Sequence, residues 1–143
     1  MILHDPQPVL RDEIERALDV GLVGGWYCLG VADERGLQGV LAFDDIGARN
    51  CEMYAAGQPG FMTRGLLREA GRVMFDVLQV PRVTIRFRES NIHIQRAAER
   101  AGFKKEGVIR RFFGDEDAVL MGLLATEYRY RVEEFQAPNR SCA

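Results

Sequence analysis

Lysine is almost missing from this chain of 143 residues: Lys104 and Lys105 are the only two, so 17 of the 19 basic side chains are arginines. Histidine is nearly as scarce, with His4 and His93 alone. The three cysteines (Cys28, Cys51, Cys142) are odd in number, widely spaced and form no CxxC. That excludes a disulfide framework and leaves few ligands for a zinc site, so no metal is expected. No apolar run approaches the roughly 20 residues that span a bilayer. No basic start leads into an apolar leader segment, because Met1–Pro8 already carries Asp5 and Pro6. The expectation is a cytoplasmic protein with no membrane partner. A net charge of −2 supplies no overall field toward nucleic acid or anionic lipid. Arginine suits bidentate pairing with carboxylate or phosphate, although coding bias produces the same excess.

What is present is ordinary for a globular domain: 47% hydrophobic and 28% charged residues. One domain over residues 1–135 is expected, followed by a frayed tail at 136–143 containing Pro138, Asn139 and Ser141. Leu10, Ile14, Ala17 and Leu18 recur at helical spacing within Pro8–Val20, and Gly21, Gly24 and Gly25 stop that helix. Trp26–Ala32, Leu37–Phe43 and Asn50–Ala56 read as three strands of an antiparallel meander. Thr63–Leu78 carries an apolar helical stripe through Leu66, Leu67, Ala70, Val73, Met74, Val77 and Leu78. Arg82–Glu89 alternates strictly, with Val83, Ile85 and Phe87 on one face and Arg82, Thr84, Arg86 and Arg88 on the other. Ser90 or Asn91 caps a helix through Ala101 that Gly102 terminates. Two closing strands, Phe103–Phe113 and Ala118 to about Arg129, flank Gly114–Asp117. The order predicts a mixed α/β sheet with one strand–helix–strand crossover.

Asn91 opening a helix, Arg96, the Ala-rich turn, Glu99, Gly102-Phe103 and then Glu106-Gly107 together resemble the C-terminal half of the GNAT N-acetyltransferases. The pattern is most similar to the branch that acetylates ribosomal-protein N-termini, which the Pro59-Gly60-Phe61-Met62-Thr63 segment also fits. It covers roughly Ala55–Tyr130. The resemblance implies the GNAT acyl-CoA N-acyltransferase fold, here with a shortened N-terminal region: one helix where the family usually places two. It implies acetyl-CoA as donor and an amine as acceptor, on a protein or a small molecule, and leaves room for a homodimer.

The resemblance also assigns residues. Gly60, Phe61, Met62, Thr63, Arg64 and Gly65 would form the loop whose backbone N–H groups receive the pyrophosphate at a helix start. Gly57 stands where the family carries a basic or amide residue, and Pro59 removes one donor, so Arg64 or Arg68 would supply charge. Asn91 and Arg96 would contact the cofactor, Asn91 at the pantetheine arm. The family's frequent acid, a tyrosine, is Ala98 here. Glu52 is the candidate general base and Tyr54, on the same face of its strand, would orient substrate. The alternative readings are a solvated carboxylate at Glu52, a plain N-cap at Thr63 and Asn91, and a GNAT-like interaction module that has lost catalysis. The arginine row on Arg82–Arg88 reads as a solvated, salt-bridged face rather than a nucleic-acid stripe, because Phe87 points to the opposite side.

Overall fold

Alternating burial along the strands lays down one mixed sheet with a different layer on each face. The computed structural model describes residues 1–131, so the expected tail, the domain's end at residue 135 and Cys142 lie outside the described residues. The strands are β1 (Ile2–Leu3), β2 (Tyr27–Asp33), β3 (Gly36–Asp44), β4 (Cys51–Gly57), β5 (Arg82–Arg88), β6 (Lys104–Ile109) and β7 (Ala118–Leu124). Their order across the sheet is β1-β2-β3-β4-β5-β7-β6. All neighbours are antiparallel except β4 and β5, which run parallel because α2 (Arg64–Gly71) crosses over between them.

On one face lies α1 (Gln7–Leu18), whose Leu10 and Ile14 pack on Cys28, Val40 and Ala42. The other face is covered by α2 and α3 (Ile92–Ala101), where Leu66, Ala70, Ile94 and Ala98 meet Leu29, Leu41, Phe43, Val83 and Ile85. Burial of such side chains contributes about 1.5–3 kcal/mol each before entropy is counted. The layout bears out the mixed α/β expectation, including the single helix ahead of β2.

The structure departs from the sequence reading at four places. β1 was absent from that reading, since two residues carry no periodicity. It pairs Ile2 and Leu3 with Val31 and Gly30, and the Gln7 amide then continues the edge by exchanging two hydrogen bonds with the Cys28 backbone at 2.8 and 2.9 Å. Helix α2 does not keep an α-helical stripe to Leu78. From Arg72 to Val77 it widens into a π-helix, closed by Leu78 N–H donating to Val73 O at 2.8 Å. That extra residue per turn buries Val73, Met74 and Phe75 in succession and turns Val77 out to solvent. The expected strand Phe103–Phe113 ends at Ile109, because residues 110–117 fold into a loop tied by Arg111 N–H to the Asp117 carboxylate (2.8 Å) and Phe113 N–H to Glu116 O (3.1 Å). The last strand stops at Leu124, where a short 3-10 turn, Ala125–Glu127, leads to buried Tyr128. Its hydroxyl donates to Leu67 O at 2.5 Å and its ring meets Phe75 edge-on, closing the core beneath α2.

Gly102 sits where this closing segment crosses the end of α3. It has φ of 113°, and a Cβ there would lie 2.4 Å from Glu127 O. Both the left-handed backbone and the contact demand glycine. Gly102→Ala should cost about 1–3 kcal/mol from the backbone conformation alone. The expected readout is a lower urea midpoint at unchanged slope; an unshifted midpoint would show that the helix end relaxes freely.

Candidate active site

The site is built where β4 and β5 part. They pair at Cys51–Val83, Glu52–Thr84 and Met53–Ile85, and the ladder then ends. Beyond that point β4 stays with β3 as far as Gly57–Gly39, and β5 stays with β7 as far as Arg88–Ala118. Below the fork, Thr84 donates its hydroxyl hydrogen to Asn50 Oδ1 at 2.7 Å and holds the strands together. Above it, Tyr54–Gly57 faces Arg86–Arg88 across an open wedge.

Two cavities meet in this wedge. One, of about 330 Å³, is walled by the end of α1, by Tyr54, Ile85, Arg86 and Arg88, and by Phe112 and Phe113 of the 110–117 loop. The other, of about 300 Å³, runs along the 57–62 loop and α3, past His93, Ala97 and Arg100. Leu18, Ala55, Asn91 and Ile94 border both, so the two form one continuous groove through the sheet. Ala17 and Leu18, expected on the buried stripe of α1, are exposed at this groove instead. The segment after α1 is held in place by side chains that accept its amides. Glu15 takes Leu22 N–H at 2.8 Å, and buried Asp44 takes those of Val23 (3.2 Å) and Gly24 (3.1 Å).

The loop after β4 carries the features of an anion seat. Gln58 N–H donates to Gln38 O, Phe61 N–H to Gln58 O and Thr63 N–H to Phe61 O, while Thr63 Oγ1 caps α2 by accepting from Leu66 N–H at 3.2 Å. Among the described residues, the N–H groups of Gly60, Met62, Arg64 and Gly65 then have no hydrogen-bond partner. They lie at or beside a helix start, where an anion is favoured. Phe61 is a structural anchor: its ring is buried over Gly39 and Gly57, where any Cβ would come within 2.2 and 2.8 Å of it. The cation lining this end is Arg100, neither Arg64 nor Arg68. Arg96 is exposed and borders neither cavity. His93, Ala97 and Arg100 share one helical face, a spacing that could have revealed them in the sequence. Asn91 lies at the junction of both cavities while its Oδ1 accepts from Ile94 N–H at 3.2 Å.

Glu52 and Tyr54 share the α1 face of β4. Tyr54 borders the larger cavity, and Glu52 lies one residue before the fork, with its carboxylate 3.6 Å from Arg86. Burial raises the Glu52 carboxyl above its ordinary pKa, with Arg86 opposing; burial likewise raises Tyr54, whose hydroxyl keeps its proton at neutral pH. The arginine row is bridged as expected, but aromatic partners also reach it. Arg86 lies 5.1 Å from the Phe112 ring and Arg88 4.6 Å from that of Phe113. Those phenylalanines come from a segment read as regular strand, so their return to β5 had no signal in the sequence.

This architecture, with its crossover, its fork and its helix-capped loop, is that of the GNAT N-acetyltransferases. No family model matches the chain, and no curated protein matches it. Solved structures do. Spermidine N-acetyltransferase from Vibrio cholerae in complex with CoA and spermine is similar with a TM-score of 0.69 at 16% identity, over 90% of this chain and 96% of that one. A chimera of that enzyme, SpeG, with hSSAT gives 0.69 at 18% identity, over 90% and 98% of the two chains. A second such chimera gives 0.62 at 23%, over 72% and 70%. These three are spermidine acetyltransferases, so the finer resemblance to the ribosomal-protein branch rests on the sequence pattern alone.

A thiol nucleophile is a poor fit here. Cys51 points into the core beneath α2, where burial pushes its thiol up to about 12, and burial pushes Cys28 up to about 11. Both should resist a disulfide reagent at about pH 8 in the native protein and react once guanidinium unfolds it. Rapid native labelling of Cys51 would show a reactive thiol at the site.

Proposed function

We propose that the chain transfers an acetyl group from acetyl-CoA to a primary amine. The observation that carries this reading is the continuous groove through the β4–β5 fork, with free backbone N–H groups at one end and a walled cavity at the other. The N–H groups of Gly60, Met62, Arg64 and Gly65, with Arg100 nearby, suit the pyrophosphate of the donor. The unpaired inner edges of β4 and β5 offer donors and acceptors to the amides of the pantetheine arm, with Asn91 beside them. The thioester then lies near Ala55, and the acceptor enters the cavity bordered by Tyr54 and Arg86. The similarity of the sequence to the ribosomal-protein branch supports an α-amine as acceptor.

In this reading the amine attacks as its free base. A C–N bond forms, the C–S bond breaks, and the proton shed by nitrogen passes through water to Glu52, while the departing thiolate is protonated from solvent. Tyr54, protonated at neutral pH, donates a hydrogen bond that orients the acceptor. Proximity supplies much of the acceleration, since both substrates are held in one wedge.

Acetyl-CoA at 100-fold over its Kd should raise unfolding stability by about 2.7 kcal/mol. No change in melting temperature, with calorimetry equally silent, would leave the fold as an interaction module. Asn91→Ala should weaken acetyl-CoA binding by more than the roughly 1 kcal/mol that loss of the cap costs the apo protein; unchanged affinity would reduce Asn91 to a cap.

Glu52→Gln should lower kcat by about 10²- to 10⁴-fold with acetyl-CoA affinity retained. A base acts only when deprotonated, so kcat should fall on the acid side. The midpoint of that fall should lie above the roughly 4.3 of a free glutamate, because burial raises this carboxyl. Full turnover by the glutamine variant across that range would make Glu52 a surface carboxylate.

A further inference from the structure

The larger cavity says what else the acceptor carries. We infer that it takes a free amino acid with an apolar side chain, its carboxylate held by Arg86; this rests on the acetyl-transfer reading above. Among the fourteen residues that line the cavity, Asp19 is the one carboxylate, exposed on the rim at the end of α1, against two arginines, Arg86 and Arg88. The arginines differ in what they have left to offer. Arg88 is engaged outside the cavity by Asp115 at 3.0 Å and Glu116 at 3.3 Å. The Arg86 side chain faces Glu52 at 3.6 Å and the Tyr54 hydroxyl, and makes no hydrogen bond within 3.5 Å among the described residues. Its guanidinium is held against the Phe112 ring with its side chain 29% exposed. A half-buried guanidinium whose five N–H donors are only loosely engaged is a seat for a planar anion, and a carboxylate matches its fork bidentately.

Position sets the rest of the ligand. Arg86 follows Ile85, the last β5 residue paired with β4, so its guanidinium lies beside the point where the amine must meet the thioester. Amine and carboxylate must therefore be close together, as on one α-carbon. Phe112, Phe113, Leu18 and Val20 supply apolar wall for a side chain. About 330 Å³ falls at the small end of ligand pockets. A polyamine fits poorly: each end carries a positive charge, and the cavity meets it with arginine where carboxylates would be needed. The reaction keeps the chemistry already described, with the α-nitrogen of the amino acid forming the amide bond and shedding its proton toward Glu52.

Calorimetry tests the seat without turnover. The probes are 3-phenylpropionate and its neutral amide, 3-phenylpropanamide. The carboxylate should bind about 10- to 100-fold more tightly than the amide, the range that a charge-assisted hydrogen-bonded pair supplies. Arg86→Gln should erase that difference and Arg86→Lys should restore part of it, since lysine keeps the charge but loses the fork. Circular dichroism confirms the fold of each variant, and the wild-type comparison of acid and amide stands even where a variant fails to fold. With acetyl-CoA, phenylalanine should exceed both phenylalaninamide and spermidine in kcat/KM by a factor in the same range. Equal binding of acid and amide, or higher kcat/KM for phenylalaninamide (a mimic of a peptide N-terminus) or for spermidine, overturns the proposal. Absence of acetyl-CoA binding would instead defeat the transfer reading, while the acid-against-amide titration would still decide the Arg86 seat.

Discussion

Backbone hydrogen bonding across a single strand pair governs the rest of this molecule. β4 and β5 share three register positions and then separate, yet each keeps its ladder on the outer side to its end. The separation therefore costs only the inner edges of Tyr54–Gly57 and Arg86–Arg88. Unpaired N–H and C=O groups are tolerable there because they open on a groove that water or a ligand can fill. Had either strand also left its outer neighbour, the sheet would have lost its continuity. The Thr84–Asn50 hydrogen bond and the Met53–Ile85 pair form the closed base from which the strands diverge.

Side-chain size complements this geometry. The free half of β4 runs Tyr54-Ala55-Ala56-Gly57, whose last three residues leave room in the wedge, while the free half of β5 carries Arg86, Phe87 and Arg88. Just past the fork, Phe61 packs over Gly39 and Gly57, so the turn that brings Gly60 and Met62 to the groove is anchored by an aromatic ring instead of by its own hydrogen bonds alone. The other walls are fixed by equally local means: Asp44 and Glu15 hold the segment after α1, and the Arg86–Phe112 and Arg88–Phe113 contacts fold the 110–117 loop onto β5.

What the sequence makes legible follows from the range of the forces involved. Helix α3 was readable from end to end, because Asn91 as cap, the Ile94–Ala97–Ala98–Ala101 stripe and Gly102 as terminator are local signals. The alternation of β5 was readable for the same reason. The π-helical end of α2 was not, since Phe75 within it packs on Tyr128, more than fifty positions away. The cavity walls follow the same division. Glu52, Tyr54, Gly60 and Asn91 lie on elements with clear periodicity or caps, and three of those four border the groove. Phe112 and Phe113 looked like strand residues, and only the loop's tertiary contacts bring them to Arg86 and Arg88 respectively. Arg100 was eclipsed by Arg96, although a turn-by-turn count from His93 favours the former.

Arg86 ties these strands of the structure together. It is the one cation held close to the Glu52 carboxylate from within the groove, and it opposes the rise in pKa that burial imposes there. An anion seated on Arg86 would share its charge and weaken that opposition, so Glu52 would hold a proton more tightly with the acceptor bound than without it. Under the proposed reaction the same guanidinium would therefore place the acceptor and strengthen the base that receives its proton. Neither effect needs a moving part. Both follow from one arginine placed immediately past the last paired residue of β5, where the sheet has already opened and the cavity begins.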